Sequence, residues 1–183
     1  MTSRAPYTPG PANMARVEKT GEKWALVLVK ELRHSPEKVW QALTDPAHLR
    51  EWAPFDVDAN LATAATVKLA WLGAPAPIET KVTRVEAPKV LEYGDIRWEL
   101  EEFLDGTRLT LWTNIDRRFV SMGAAGWHIS FDVLDRLLDG TPIGRIAGGD
   151  ATRFAGWQRL NTEYAQQFGV KAPNWPPPEA QKS

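Results

Sequence analysis

Apolar positions at 120, 124, 127, 131, 134 and 138 recur at steps of four and three (Val, Ala, Trp, Phe, Leu, Leu). That spacing predicts a helix over residues 119–138 with these side chains on one stripe. His128, Asp132, Asp135 and Asp139 recur at the same steps elsewhere on the helix and read as a solvated face. A stripe carrying Trp and Phe needs a broad apolar partner, and segments of period two upstream supply one. Residues 24–32 form a compact apolar run that reads as a strand. Val67, Leu69 and Trp71 alternate with Lys68 and Ala70, and residues 78–85 are rich in β-branched side chains. Residues 90–93 make a short strand. Ile96, Trp98 and Leu100 alternate with Arg97, Glu99 and Glu101. An Asp105-Gly106 turn then leads into Leu109, Leu111 and Thr113. About six turn-linked strands predict an antiparallel sheet with one dry face.

Helix start signals stand between the first two strands. Ser35 can cap free amides, Pro36 fits a first turn, and Glu37 suits the positive end of a helix. Val39, Trp40 and Leu43 give this helix its buried side. Asp45-Pro46 repeats the signal for a second short helix carrying Leu49 and Trp52, which Pro54 ends. After the long helix, residues 140–150 read as a loop. Residues 151–168 read as an added amphipathic helix with Trp157, Leu160, Tyr164 and Phe168 on its stripe. This order is an α+β layout in a single domain over residues 23–170. Residues 1–22, with Pro6, Pro9 and Pro11, are expected to be a disordered arm. Residues 171–183, with Pro173, Pro176, Pro177 and Pro178, are expected to be a proline-rich tail.

Composition narrows the chemistry. Twenty-two basic and 23 acidic residues leave a net charge of −1 with no block of either sign, so no nucleic-acid partner is expected. The absence of cysteine removes disulfides, thiolate metal sites and cysteine nucleophiles. No apolar run is long enough for a membrane span or a secretory signal, and a cytoplasmic location is expected. Nine tryptophans are the unusual feature.

Candidate reactive groups have simpler explanations. His128 and Asp132 are spaced as a ligand pair, but two ligands do not make a zinc site. Asp132, Asp135 and Asp139 read as solubilising, with no apolar neighbours to raise a carboxyl pKa. Glu99, Glu101 and Glu102 with Arg97 and Arg108 read as cross-strand ion pairs. Ser35 is a cap, no serine sits in a Gly-x-Ser-x-Gly elbow, and Gly140, Gly144, Gly148 and Gly149 form no phosphate loop. Thus no catalytic residue, cofactor or metal site is assigned.

Residues 33–52, RHSPEKVWQALTDPAHLREW, resemble the opening of the SRPBCC (START-like, helix-grip) superfamily, most closely its heat-shock-protein-90 ATPase activator-like branch. Ser35, Pro36, Val39, Trp40, Ala42, Leu43, Thr44, Asp45, Pro46, Leu49 and Trp52 carry the match. The hairpin 105–111 and Gly126-Trp127 follow in the same order, so the resemblance spans about residues 23–139. It implies a helix-grip fold: a curved antiparallel sheet around a long C-terminal helix, with a cavity between them for an apolar or amphipathic molecule such as a lipid. The added helix departs from that pattern.

The expected wall of such a cavity is Trp52, Phe55, Trp71, Trp98, Leu109, Leu111, Trp127, Phe131 and Leu134. The leading expectation is binding of an apolar small molecule. A polyketide cyclase/dehydratase-like enzyme is a rival that needs Tyr93, Arg84 or Thr113 aimed inward. A protein-interaction module of the chaperone-activator kind is another. Trp112, with Thr110 and Asn114, should point outward and need cover from the last helix or from a second copy in a homodimer.

Overall fold

A computed structural model describes residues 7–173. The two ends of the chain, including most of the expected tail, lie outside the described residues. Eight strands form one antiparallel sheet in the order β1-β2-β8-β7-β6-β5-β4-β3. They are β1 (Ala15–Thr20), β2 (Lys23–Leu32), β3 (Phe55–Val57), β4 (Thr66–Trp71), β5 (Ile78–Glu86), β6 (Val90–Tyr93), β7 (Ile96–Phe103) and β8 (Gly106–Asn114). The helices are α1 (Pro36–Thr44), α2 (Pro46–Trp52), α3 (Val120–Leu138), α4 (Gly149–Thr152) and α5 (Ala155–Phe168). The sheet curls around α3 in the helix-grip manner, and the two strands beyond the six expected are β1 and β3.

Both start signals work as chemistry requires. The Lys38 amide donates to Ser35 Oγ at 3.2 Å, and the Ala47 amide donates to Asp45 Oδ1 at 2.9 Å. Proline occupies the first turn of each helix. Register sets the dry face: Leu28, Leu111, Trp98 and Leu91 lie side by side across β2, β8, β7 and β6. All four are fully buried.

The β7–β8 turn differs from the expected one by a residue. Phe103 pairs with Gly106, so Leu104 and Asp105 are the central residues. Leu104 sits at φ +54° and is 87% exposed, a left-handed backbone that costs a branched residue about 1 kcal/mol. Gly106 is needed for a different reason. A β-carbon there would stand 2.1 Å from the Leu32 carbonyl oxygen.

The disordered arm expected over residues 1–22 is contradicted from Tyr7 onward. Residues 15–20 pair with β2, and residues 7–14 lie across α3 and α5. Arg159 donates to the carbonyls of Pro9 and Gly10 at 2.7 and 2.6 Å. Tyr7 stacks on Phe154 at 5.9 Å and donates to Asp132. Prolines exclude helix here but not a strap held by side chains. At Gly156 a β-carbon would meet Pro9 Cδ at 2.6 Å and Phe154 at 2.7 Å. Gly156→Ala normally favours a helix by about 1 kcal/mol. Here it should instead destabilise by about 1–2 kcal/mol, an overpacking cost, read as a lower urea midpoint. A higher midpoint would mean that the strap does not rest there.

The expected last helix is broken at Arg153-Phe154 into α4 and α5. Trp157, Leu160 and Tyr164 of α5 are buried, and α5 packs on the side of α3 that faces away from the sheet. That placement overturns the reading of His128 as wet. Its ring is buried, with Nδ1 2.6 Å from the Tyr164 hydroxyl. It also means that the last helix does not cover Trp112. Trp112 lies on the outer face of the sheet, in register with Val27 and Arg97, with the Arg16 guanidinium 5.6 Å from its ring.

Candidate functional site

Between α3 and the dry face of the sheet the aromatic rings interlock. Trp98 meets Trp52 at 6.0 Å, Trp127 at 5.6 Å and Phe131 at 5.8 Å between ring centres. Phe55 meets Trp71 at 5.1 Å, Tyr93 at 6.1 Å and Trp127 at 6.2 Å. All but the stacked Trp98–Phe131 pair are edge-to-face, and both arrangements are favourable at these separations in a dry core. Trp52, Phe55, Trp98, Leu109, Leu111, Phe131 and Leu134 have no exposed surface. The middle of the grip is therefore filled.

A cavity of about 450 Å³ opens at one end of the grip, beside the first turns of α3. Its apolar wall is Leu69, Trp71, Ile96, Ile115 and Trp127, with the bare backbone of Gly123. Thr80 and Thr113 add hydroxyls, and Lys81, Asp95 and Asn114 stand at the exposed rim. Of the nine wall residues expected from sequence, Trp71 and Trp127 line this cavity, whereas the other seven do not: their side chains pack against one another in the core and leave no space beside them. The sequence reading did not include Gly123 or Ile115. Glycine carries no periodic signal, and Ile115 stands just past a strand end.

Strand alternation places Tyr93 and Thr113 on the cavity side, whereas Arg84 lies outside and pairs with Glu86 and Glu92. The Tyr93 hydroxyl accepts a hydrogen bond from Trp98 Nε1 at 2.9 Å. Burial holds its phenol well above the ordinary value, so Tyr93 stays protonated and can act only as a neutral donor or acceptor.

A second polar cluster lies across α3 from the cavity. Lys30 projects from the dry face of β2 and donates to Asp132 Oδ1 at 3.2 Å, with Asp135 at 3.8 Å. The Tyr164 hydroxyl accepts from the Met14 amide at 3.2 Å, which leaves its own hydrogen for His128 Nδ1. The imidazole proton is then on Nε2, 3.7 Å from Asp132 Oδ2. Burial lowers the His128 pKa, and Asp132 only partly offsets that. Burial also raises Asp135, and pushes the Tyr164 phenol up to about 12. Asp132 and Asp135 thus serve as partners for Lys30, and Asp132 also for Tyr7 of the strap, rather than as a solubilising face.

The fold also brings His34 beside Asp135 and Asp139, their ligand atoms lying within 4.8 Å of one another. His34 Nε2 is 2.7 Å from Asp139, Lys38 Nζ is 3.2 Å from His34 Nδ1, and Lys38 also caps the Leu138 carbonyl at 2.7 Å. Each group already has a partner of suitable charge, which explains the cluster as a tie between α1 and the end of α3.

Comparison with known proteins bears on the fold. Residues 33–139 match the family described as Activator of Hsp90 ATPase homolog 1-like protein. A comparison with curated proteins finds no match. Among solved structures, the conserved protein EF2215 of Enterococcus faecalis is similar with a TM-score of 0.64 at 15% identity, over 84% of this chain and 89% of that one. CalU16 of Micromonospora echinospora follows at 0.60 and 19%, over 85% and 92%. The protein MLL2253 of Mesorhizobium loti is similar at 0.55 and 26%, over 64% and 98%. No helix among the described residues is long and apolar enough to cross a membrane.

Proposed function

We propose, for a chain that belongs to the family of Activator of Hsp90 ATPase homolog 1-like proteins, that it binds an apolar small molecule at the open end of its grip. The observation that carries this reading is the cavity of about 450 Å³ walled by Trp71, Trp127, Leu69, Ile96 and Ile115. Small-molecule sites fall in that volume range and combine apolar walls with a few polar groups. Burying about 200 Å² of a bicyclic ring system would contribute about 5 kcal/mol, enough for sub-millimolar binding before association costs are charged. Lys81 and Asn114 at the rim, beside the carboxylates of Glu79 and Asp95, suit a polar substituent left at the opening. The ligand's apolar body would lie against Trp71 and Trp127.

The test is titration of isotope-labelled protein with 8-anilinonaphthalene-1-sulfonate (ANS) by NMR. Saturable shifts should appear at the amides of Gly94, Thr113, Asn114 and Gly123. Thr113→Trp places an indole in the cavity from the dry face of β8 and should abolish those shifts while far-ultraviolet dichroism stays native. Shifts that are absent from the wild type, or unchanged in the variant, would remove this site from consideration.

A further inference from the structure

On its α3 side the cavity is bounded by a glycine in a helix interior, where alanine is favoured. Gly123 precedes Trp127 by one turn, so both face the sheet. A β-carbon at 123 would stand 2.5 Å from Ile115 Cδ1 and 3.5 Å from Leu26 Cδ2. The missing methyl is the seat of the Ile115 side chain. Ile115 follows β8 directly, and its amide donates to the Trp24 carbonyl at 3.1 Å, which pins its backbone. Its side chain is half-buried and lines the cavity. Leu26 is fully buried behind the same spot. With its backbone held and Leu26 behind it, a displaced Ile115 has the cavity to turn into.

We infer that Gly123 and Ile115 together set the width of the molecule the cavity admits. With 123 bare, Ile115 lies on the helix backbone and leaves the opening wide. Any side chain at 123 tips Ile115 into it. This inference rests on the reading that the cavity binds an apolar molecule, and the experiment separates the two.

Two probes share a naphthalene sulfonate but differ by one ring: naphthalene-1-sulfonate and ANS. The wild type should bind both. Gly123→Ala should keep the smaller probe within about twofold and weaken ANS at least about tenfold, the scale of one overpacked contact. Ile115→Ala should bind ANS at least as tightly as the wild type. The double variant Gly123→Ala/Ile115→Ala, in which the clash is absent, should recover ANS binding and guards against a folding defect. Equal weakening of both probes, unchanged ANS affinity in Gly123→Ala, or failure of the double variant to recover would each overturn the inference while the binding site stands. A wild type that binds neither probe overturns the binding reading, and this inference falls with it.

Discussion

Trp98→Ala lowers the free energy of unfolding by about 3–5 kcal/mol, the range for removing a large aromatic from a packed core. Trp98 is fully buried, touches the rings of Trp52, Trp127 and Phe131, and donates to Tyr93. Truncation leaves a cavity that these rings can only partly close, because each is fixed by a further neighbour. Trp127, for instance, is held by Phe55 and Trp71. Trp71→Ala provides the contrast. It is only partly buried, at the edge of the cavity, so the variant should lose about 1–2 kcal/mol and most of the protein's affinity for ANS. Urea denaturation measures both. A loss below about 1 kcal/mol at Trp98 would mean that the rings do not form a close-packed core.

The second large effect is acid lability centred on His128. Its folded pKa lies below the ordinary 6.5 because burial disfavours the imidazolium. Above that value the ring is neutral in both states, and its contribution to stability is fully present. As pH falls below it, the unfolded chain takes the proton first, so stability declines by up to about 1.4 kcal/mol per pH unit.

The groups around the ring are Asp132 on α3, Lys30 on β2, and Arg159, Glu163 and Tyr164 on α5. Asp135 titrates in the opposite sense. Its raised carboxyl pKa makes folding favour the proton, in the carboxylate range above 3.8. The decline that begins as pH falls below about 6.5 therefore belongs to His128. His128→Gln should flatten it, as measured by urea midpoints across that range. An unchanged slope in the variant would assign the acid sensitivity to another group. The Met14 and Ala15 amides, next to Tyr164, should lose hydrogen-exchange protection over the same interval.

How far the chain could be read from its residues depended on how local each signal was. Ser35-Pro36 and Asp45-Pro46 are complete in a few residues, and both helices begin where those signals stand. Alternation at Ile96, Trp98 and Leu100, and at Leu109, Leu111 and Thr113, fixes the dry face without knowledge of neighbours. The side of α3 carrying His128 and Asp132 was misread because polarity marks a face as wet only when no other element covers it. The stripe of Trp157, Leu160 and Tyr164 needed a surface, and that side of α3 supplies it.

β1 escaped notice because it is an edge strand with mostly polar side chains, Arg16, Glu18 and Lys19 among them, the usual protection of an exposed edge. The boundary between filled core and open cavity was equally hidden. Trp127 and Phe131 share one stripe, and only the packing of Phe55 and Trp98 decides which end of α3 stays open.

The proposed ligand site is the open end of an otherwise filled grip. Anomalous diffraction from a crystal soaked with a bromonaphthalene sulfonate tests it most directly. A bromine peak bounded by Trp71, Thr113, Ile115 and Trp127 is expected. Bromine found only elsewhere, such as beside Trp112 on the outer face, with that space left to solvent at saturating probe, would contradict it.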